Sequence, residues 1–346
     1  MSRHPHRTLA ALAAAAATLA VAACSTAGAY DPTPLYTPSP SASPSASASA
    51  SPGGTATPSP TPTATDIATT NCLKSYAPPA TMPAPGQMPG GSFMSTIQKR
   101  GFLNAGVSAD TPRLGARNPV TNKIEGFDID MLHAVSQAIF GDPNKIALTV
   151  ITAGQREKVL QDGTVDIVAR AMTITCKRWA NIAFSSEYYR AGQKVLVRLG
   201  DKSASGGPIT GLADLAGKKV CAQNGTTSLQ NLRTFTDVEA VGAETQSACL
   251  VLFQQGAVDA ITGDDTVLAG LASQDPYAVI VNAPAFSAEP YGLGVNQKNV
   301  DFARFVNGVL EEVRADGRWT ASYNHWLAGA LGKAPEPPRP LYGRVP

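Results

Sequence analysis

From about Gly91 onward, short apolar runs of strand length alternate with stretches whose apolar positions recur at helical spacing. Gly101 to Val107, Ile146 to Ile151, Val165 to Arg170, Lys218 to Ala222 and Val258 to Thr262 read as strands. Asp128 to Phe140 places Met131, Val135, Ala138 and Ile139 on one helix face, and Gly141 and Pro143 stop it. Arg156 to Gln161 reads as a short helix. Thr173-Ile174-Thr175, Gly225-Thr226-Thr227-Ser228 and Asp264-Asp265-Thr266 each open another, and Val300 to Ala315 and Trp319 to Leu327 close the body as helices. The alternation predicts an α/β fold with parallel sheets. The polar clusters at three strand-to-helix junctions mark where ligands bind in such sheets, because helix N-termini expose amides at the carboxyl ends of the strands.

The N-terminal quarter follows neither period. Arg3 and Arg7 precede an uncharged, mostly apolar run from Leu9 to Ala23. That run is short for a membrane-spanning helix, which needs about 20 residues, but suits the core of a secretory signal. It ends at Val21-Ala22-Ala23-Cys24, which resembles a bacterial lipoprotein signal. Residues 1–23 are then expected to be a signal peptide, and Cys24 the lipidated residue that anchors the chain to the membrane. From Thr37 to Thr65 every residue is Ser, Thr, Pro, Ala or Gly, which cannot form a core. Residues 24–90 are expected to be a tether, within which the stretch from Thr37 to Thr65 spans up to roughly 90 Å at about 3.1 Å per residue. No later apolar run is long enough to cross a membrane, so a single attachment point is expected. Residues 333–346 read as a Pro-rich tail.

The chain has 28 Lys and Arg against 26 Asp and Glu, a net charge of +2. This near-balance argues against a nucleic-acid partner. The charged fraction of 16% is low because residues 1–92 carry only Arg3, Arg7, Lys74, Asp31 and Asp66, so the body itself has ordinary globular charge. Four scattered His give no zinc pattern, and neither metal nor cofactor is expected. Setting Cys24 aside leaves Cys72, Cys176, Cys221 and Cys249, an even number in an exported chain, which permit three pairings. The pairing taken is Cys221–Cys249 within one lobe and Cys72–Cys176 from the end of the tether to the body.

Gly126-Phe127-Asp128-Ile129-Asp130-Met131 resembles the signature of family-3 extracytoplasmic solute-binding proteins for polar amino acids, with Ser136 departing from the small apolar residue usual later in it. Further resemblances follow in order: Gly163-Thr164-Val165-Asp166-Ile167-Val168, Thr173-Ile174-Thr175-Cys176-Lys177-Arg178, Tyr188-Tyr189, Gly217 to Cys221, Gly225-Thr226-Thr227, Val258 to Asp265, and Pro290 to Val295. They cover roughly residues 91–330 and look most like actinobacterial glutamate/glutamine-type binding lipoproteins. The resemblance implies a two-lobed type II periplasmic-binding-protein clamshell with ligand in the cleft. Lobe 1 is expected at 91–199 plus 293–332, lobe 2 at 200–292, with crossings near Arg198–Gly200 and Tyr291–Gly294.

By the same resemblance Arg178 takes an amino acid's α-carboxylate. The chemistry agrees, since a guanidinium fork binds carboxylate bidentately. The Thr226 and Thr227 amides or hydroxyls clamp that group from lobe 2. Asp264 matches the partner of the α-ammonium, with Thr173 and the Ala171 backbone adding acceptors and Asp265 a competitor whose plainer role is a helix cap. Arg156 lies where acidic-amino-acid binders carry a cleft Arg, and is expected to pair with a side-chain carboxylate. Arg113 and Arg170 are within possible reach, while Ser108 stands where many relatives carry a charge. The implied function is capture of glutamate or aspartate for an ABC permease or membrane sensor, by a monomer outside the cytoplasm. Glutamine or a general polar amino acid is the alternative. An enzyme of the cyclohexadienyl-dehydratase kind would need a cleft general acid; none stands apart from the ligand-pairing groups, so no catalysis is expected.

Overall fold

The computed structural model describes residues 70–345. The expected signal peptide, Cys24 and the tether up to residue 69 lie outside the described residues.

Two sheets organise the body. The first runs, in spatial order, Ile146–Val150, Leu103–Val107, Ile167–Ala169, Gly294–Asn296 and Ile182–Phe184. Its first three strands are parallel, and Gly294–Asn296 is antiparallel to both neighbours. The second runs Glu239–Ala243, Lys219–Gln223, Ala260–Asp264, Tyr189–Arg198 and Ala278–Ile280, with Ser287–Tyr291 also pairing with Tyr189–Arg198. A small three-stranded sheet (Asp110–Thr111, Gly115–Arg117, Ile124–Glu125) sits beside the first. Each main sheet is mixed rather than purely parallel, because the strands that carry the chain between lobes run against the rest.

Helix Phe127–Phe140 forms where the apolar spacing predicts, and helix Val300–Ala315 matches its expected bounds. Phe302, Phe305, Val306, Val309 and Val313 recur at helical spacing on its buried face, and it packs on Phe127–Phe140. Each fully buried side chain of this size contributes about 1.5–3 kcal/mol. Lobe 1 is built on one core containing Phe127, Tyr188, Tyr291 and Trp319. Lobe 2 has two smaller cores, one on each side of its sheet, around Val195 and Val220 and around Leu196 and Phe253.

The first crossing differs from expectation. Tyr189–Arg198 was assigned by sequence to lobe 1, ending in a crossing at Arg198–Gly200, but it pairs with Ala260–Asp264 and Ser287–Tyr291 and so belongs to the second sheet. Its end explains why: Val195, Leu196 and Val197 fill the two lobe 2 cores, while Tyr189 and Ala191 still pack in lobe 1. The chain therefore crosses within this strand, between Ala191 and Val195, and returns along its partner Ser287–Tyr291, whose last residue is back in the lobe 1 core. The tether boundary also differs. Cys72, Tyr76 and Met88 are buried in the lobe 1 core, and Asn307 donates to the Tyr76 carbonyl at 2.7 Å. These anchors hold a stretch whose prolines alone read as spacer. Both expected disulfides form, with Cα–Cα distances of 5.1 Å for Cys72–Cys176 and 5.6 Å for Cys221–Cys249.

Candidate functional site

The three polar junctions meet where the lobes touch. From lobe 1, Thr175 caps helix Cys176–Trp179 by accepting from the Arg178 N–H, which presents the Arg178 side chain to the cleft. Arg178 is 5% exposed. Its Nη1 donates to the Thr173 carbonyl at 2.6 Å and its Nη2 to the Gly225 carbonyl of lobe 2 at 3.2 Å, with Glu157 3.7 Å from Nε. Burial draws its pKa down, opposed by Glu157, Glu289 and Asp264. Two of five N–H donors are thus committed to carbonyls, and the fork retains donors for a carboxylate.

From lobe 2, Asp264 ends strand Ala260–Asp264 and precedes helix Asp265–Ala272. Its Oδ2 accepts from the Tyr291 hydroxyl at 2.5 Å and its Oδ1 from Ser228 Oγ at 3.2 Å. Burial pushes its carboxyl up to about 8, and the neighbouring Glu289 carboxylate adds to the rise. Asp265 is the first residue of helix Asp265–Ala272 and accepts from the Thr266 N–H at 2.8 Å, while the N-cap position falls on Asp264.

Thr173 and Thr227 face each other across the lobes, hydroxyl to hydroxyl at 3.3 Å. Both donate to Glu289 Oε2, at 2.7 and 2.6 Å. Ser287 donates to the other oxygen at 2.8 Å. Glu289 is fully buried at the centre of the site and was missed in the sequence, because Glu-Pro-Tyr-Gly reads as a turn and its proline disguises the strand. Tyr291 and Ser228, the partners of Asp264, were missed as ligand-site residues as well.

Other expected residues are placed differently. Thr226 caps helix Thr227–Leu232: its Oγ1 accepts from the Leu229 N–H at 3.1 Å and donates to the Gln223 carbonyl at 2.6 Å, so the hydroxyl is spent on the helix. Ala171 holds a left-handed φ of 42°, a strained conformation for a residue with a side chain. Its N–H donates to Asp128 at 2.8 Å, and its carbonyl accepts from Arg156 at 3.0 Å, leaving one lone pair. Asp128 also accepts from the Tyr188 hydroxyl at 2.6 Å, and burial pushes its carboxyl up to about 6.

Arg156 is 2% exposed and meets carbonyls, not carboxylates. Nε donates to Ala153, Nη1 to Arg170 and Ala171, and Nη2 to Gly225 on the opposite lobe at 2.9 Å. Four of its five donors are thereby occupied. Arg170 reaches the cleft, donating to the Ile151 carbonyl at 2.8 Å and contacting Gln223 of lobe 2 at 3.5 Å. Arg113 turns away to the Trp326 carbonyl. Ser108 donates to Asp110 at 2.8 Å. Among the described residues no group of three His, Cys, Asp or Glu side chains converges to hold a metal ion, and no helix is long and apolar enough to cross a membrane.

Two α/β lobes joined by two crossings, with cationic and anionic groups converging between them, define a clamshell solute-binding protein. Residues 103–329 match the bacterial extracellular solute-binding proteins, family 3, and the chain belongs to that family. It is thus an extracytoplasmic solute-binding protein. It is 34% identical over 235 residues to the ABC transporter glutamine-binding protein GlnH of Bacillus subtilis, covering 68% of this chain and 84% of the relative. It is 31% identical to the glutamate-binding protein GluB of Corynebacterium efficiens, covering 73% and 86%. Among solved structures it resembles an ancestral arginine-binding protein bound to glutamine, at 32% identity and a TM-score of 0.61, over 68% of this chain and 99% of the other.

Proposed function

We propose that this protein captures an amino acid outside the cytoplasm for an ABC importer, and that the amino acid is glutamine. The observation that carries the reading is the pairing of Arg178 and Thr173 from one lobe with Thr227, Ser228 and Asp264 from the other. An amino acid's α-carboxylate needs the first kind of group and its α-ammonium the second, and burying either charge unpaired is costly. Closure of the lobes brings both within reach of one small molecule. The glutamine-binding relative supports an uncharged side chain, and so does Arg156, whose donors are directed to carbonyls.

A second reading, glutamate or aspartate, is favoured by the glutamate-binding relative; in it Arg156 pairs with the ligand's side-chain carboxylate. Titration calorimetry of the purified protein against the twenty amino acids separates the two. Arg178→Ala and Asp264→Ala should each weaken binding by about 10²-fold or more, the effect of leaving one ligand charge unpaired at about 3–5 kcal/mol. Normal binding by both variants overturns the site.

We further propose that Cys24 is acylated and holds the protein at the membrane as a monomer. Cys24→Ala should release it to the medium, and retention of that variant on membranes rejects the anchor.

A further inference from the structure

One flank of the cleft contains polar atoms that the site described above does not use. Asp110, at the start of the small sheet, has two unlike carboxylate oxygens. Oδ1 accepts from Ser108 Oγ at 2.8 Å and lies 3.8 Å from Arg170 Nη2. Oδ2 is buried without a hydrogen-bond partner. On the opposite lobe, Gln246 opens helix Gln246–Gln254 and is 4% exposed, and its Oε1 is likewise buried and unpartnered. The two come from elements that touch, since Ser247 Oγ donates to the Asp110 carbonyl at 3.2 Å. Buried acceptors of this kind are rare, and each is destabilising if nothing donates to it.

The flank adjoins the groups that face the α-carbon. Arg170 precedes Ala171, and the Gln246 amide lies against Gly263, next to Asp264. Arg170 commits Nε to Ile151 and Nη1 to Gln223, which leaves Nη2 directed at Asp110.

We propose that Asp110, Gln246 and Arg170 form the side-chain subsite and that it recognises a primary carboxamide. The ligand's NH₂ donates to Asp110 Oδ2 and Gln246 Oε1, and its C=O accepts from Arg170. A carboxamide offers two donors on one side and an acceptor on the other, which matches this set. A carboxylate offers no donor and brings its charge against Asp110. The proposal rests on the amino-acid capture reading above and names what sets its preference.

The test is calorimetry on the purified full chain with glutamine and glutamate, read as the ratio of Kd for glutamate to Kd for glutamine. Wild type should show a ratio of about ten or more. Asp110→Asn removes the charge and supplies an NH₂ that can donate to a carboxylate, so the ratio should fall at least about tenfold. Gln246→Met removes an acceptor that only the amide uses, so the ratio should fall about threefold or more. A wild-type preference for glutamate, or an unchanged ratio in both variants, overturns the subsite while leaving amino-acid capture standing. Failure of both variants to fold assigns the residues to structure and also overturns it. Absence of binding to any amino acid by wild type rejects the capture reading itself.

Discussion

Arg156 and Gly225 are joined across the cleft: the guanidinium, rooted in lobe 1, donates to the Gly225 carbonyl of lobe 2 at 2.9 Å. Arg178 donates to the same carbonyl, so one backbone oxygen receives two cations from the facing lobe. Such charge-assisted bonds are worth about 1.5–3 kcal/mol each. They form only when the lobes meet, which makes them part of closure.

Arg156→Met should therefore weaken every ligand alike. Four carbonyls lose a donor, and affinity for glutamine and glutamate should fall together by about tenfold or more, with a lower melting temperature. Paired titrations check this. Selective loss of glutamate binding would return Arg156 to the specificity pocket.

Gly225 itself cannot take a side chain in the closed arrangement. It has a φ of +75°, and a Cβ would lie 2.6 Å from Gly154 Cα on the other lobe. The left-handed conformation alone costs about 1–2 kcal/mol for a residue with a Cβ. Gly225→Ala should fold, bind about 10²-fold more weakly, and fail to contract in X-ray scattering at saturating ligand. Contraction equal to wild type would show that closure does not bring these two glycines together.

Binding should depend on pH through Asp264. Its folded pKa of about 8 is raised from the ordinary 3.8, so the free protein holds a proton there that the unfolded chain has lost. The sign for stability follows: the free protein loses stability as pH rises from about 4 towards 8. Ligand binding has its own sign. An α-ammonium needs the carboxylate form, so below pH 8 binding expels the proton, and affinity should rise from pH 6 to 8 by up to about tenfold per unit. Calorimetry in buffers of different ionisation enthalpy should detect close to one proton released at pH 6. A flat affinity with no proton release would mean Asp264 is already charged in the free protein.

Cys221 and Cys249 fasten strand Lys219–Gln223 to helix Gln246–Gln254, beneath Gln223 and Gln246. Closing a loop of this separation, 28 residues, is worth about 3–4 kcal/mol in the chain-entropy account. The Cys221→Ala, Cys249→Ala double variant should melt well below wild type. An unchanged melting temperature would show that packing alone holds the pair.

The sequence was most informative where chemistry and local structure coincide. Arg178, Thr173, Thr227 and Asp264 stand at strand-to-helix junctions, and such junctions are visible as polar residues after an apolar run. Tyr189–Arg198 was harder, because its apolar stretch fits either lobe and only its pairing partners, 65 to 102 residues further along the chain, decide. Glu289 was hidden for a related reason. Its importance comes from two threonines on different lobes, and nothing near it in the chain announces them. Arg156 was placed in the cleft by the family resemblance, but its partners are backbone carbonyls, which carry no signature in a list of side chains.

The two ends of the described chain meet on lobe 1. Ser75 donates to the Leu341 carbonyl at 2.8 Å and accepts from the Arg344 N–H at 3.1 Å, and the Arg344 guanidinium stacks 3.7 Å above the Trp179 ring. Lobe 2 is thus an insertion that both begins and ends on its neighbour. A fluorescent protein fused at either end would ride on the same lobe and report nothing of the swing between lobes. A sensor made from this protein needs one dye at an exposed lobe 2 position such as Tyr277, with the other at an end of the body.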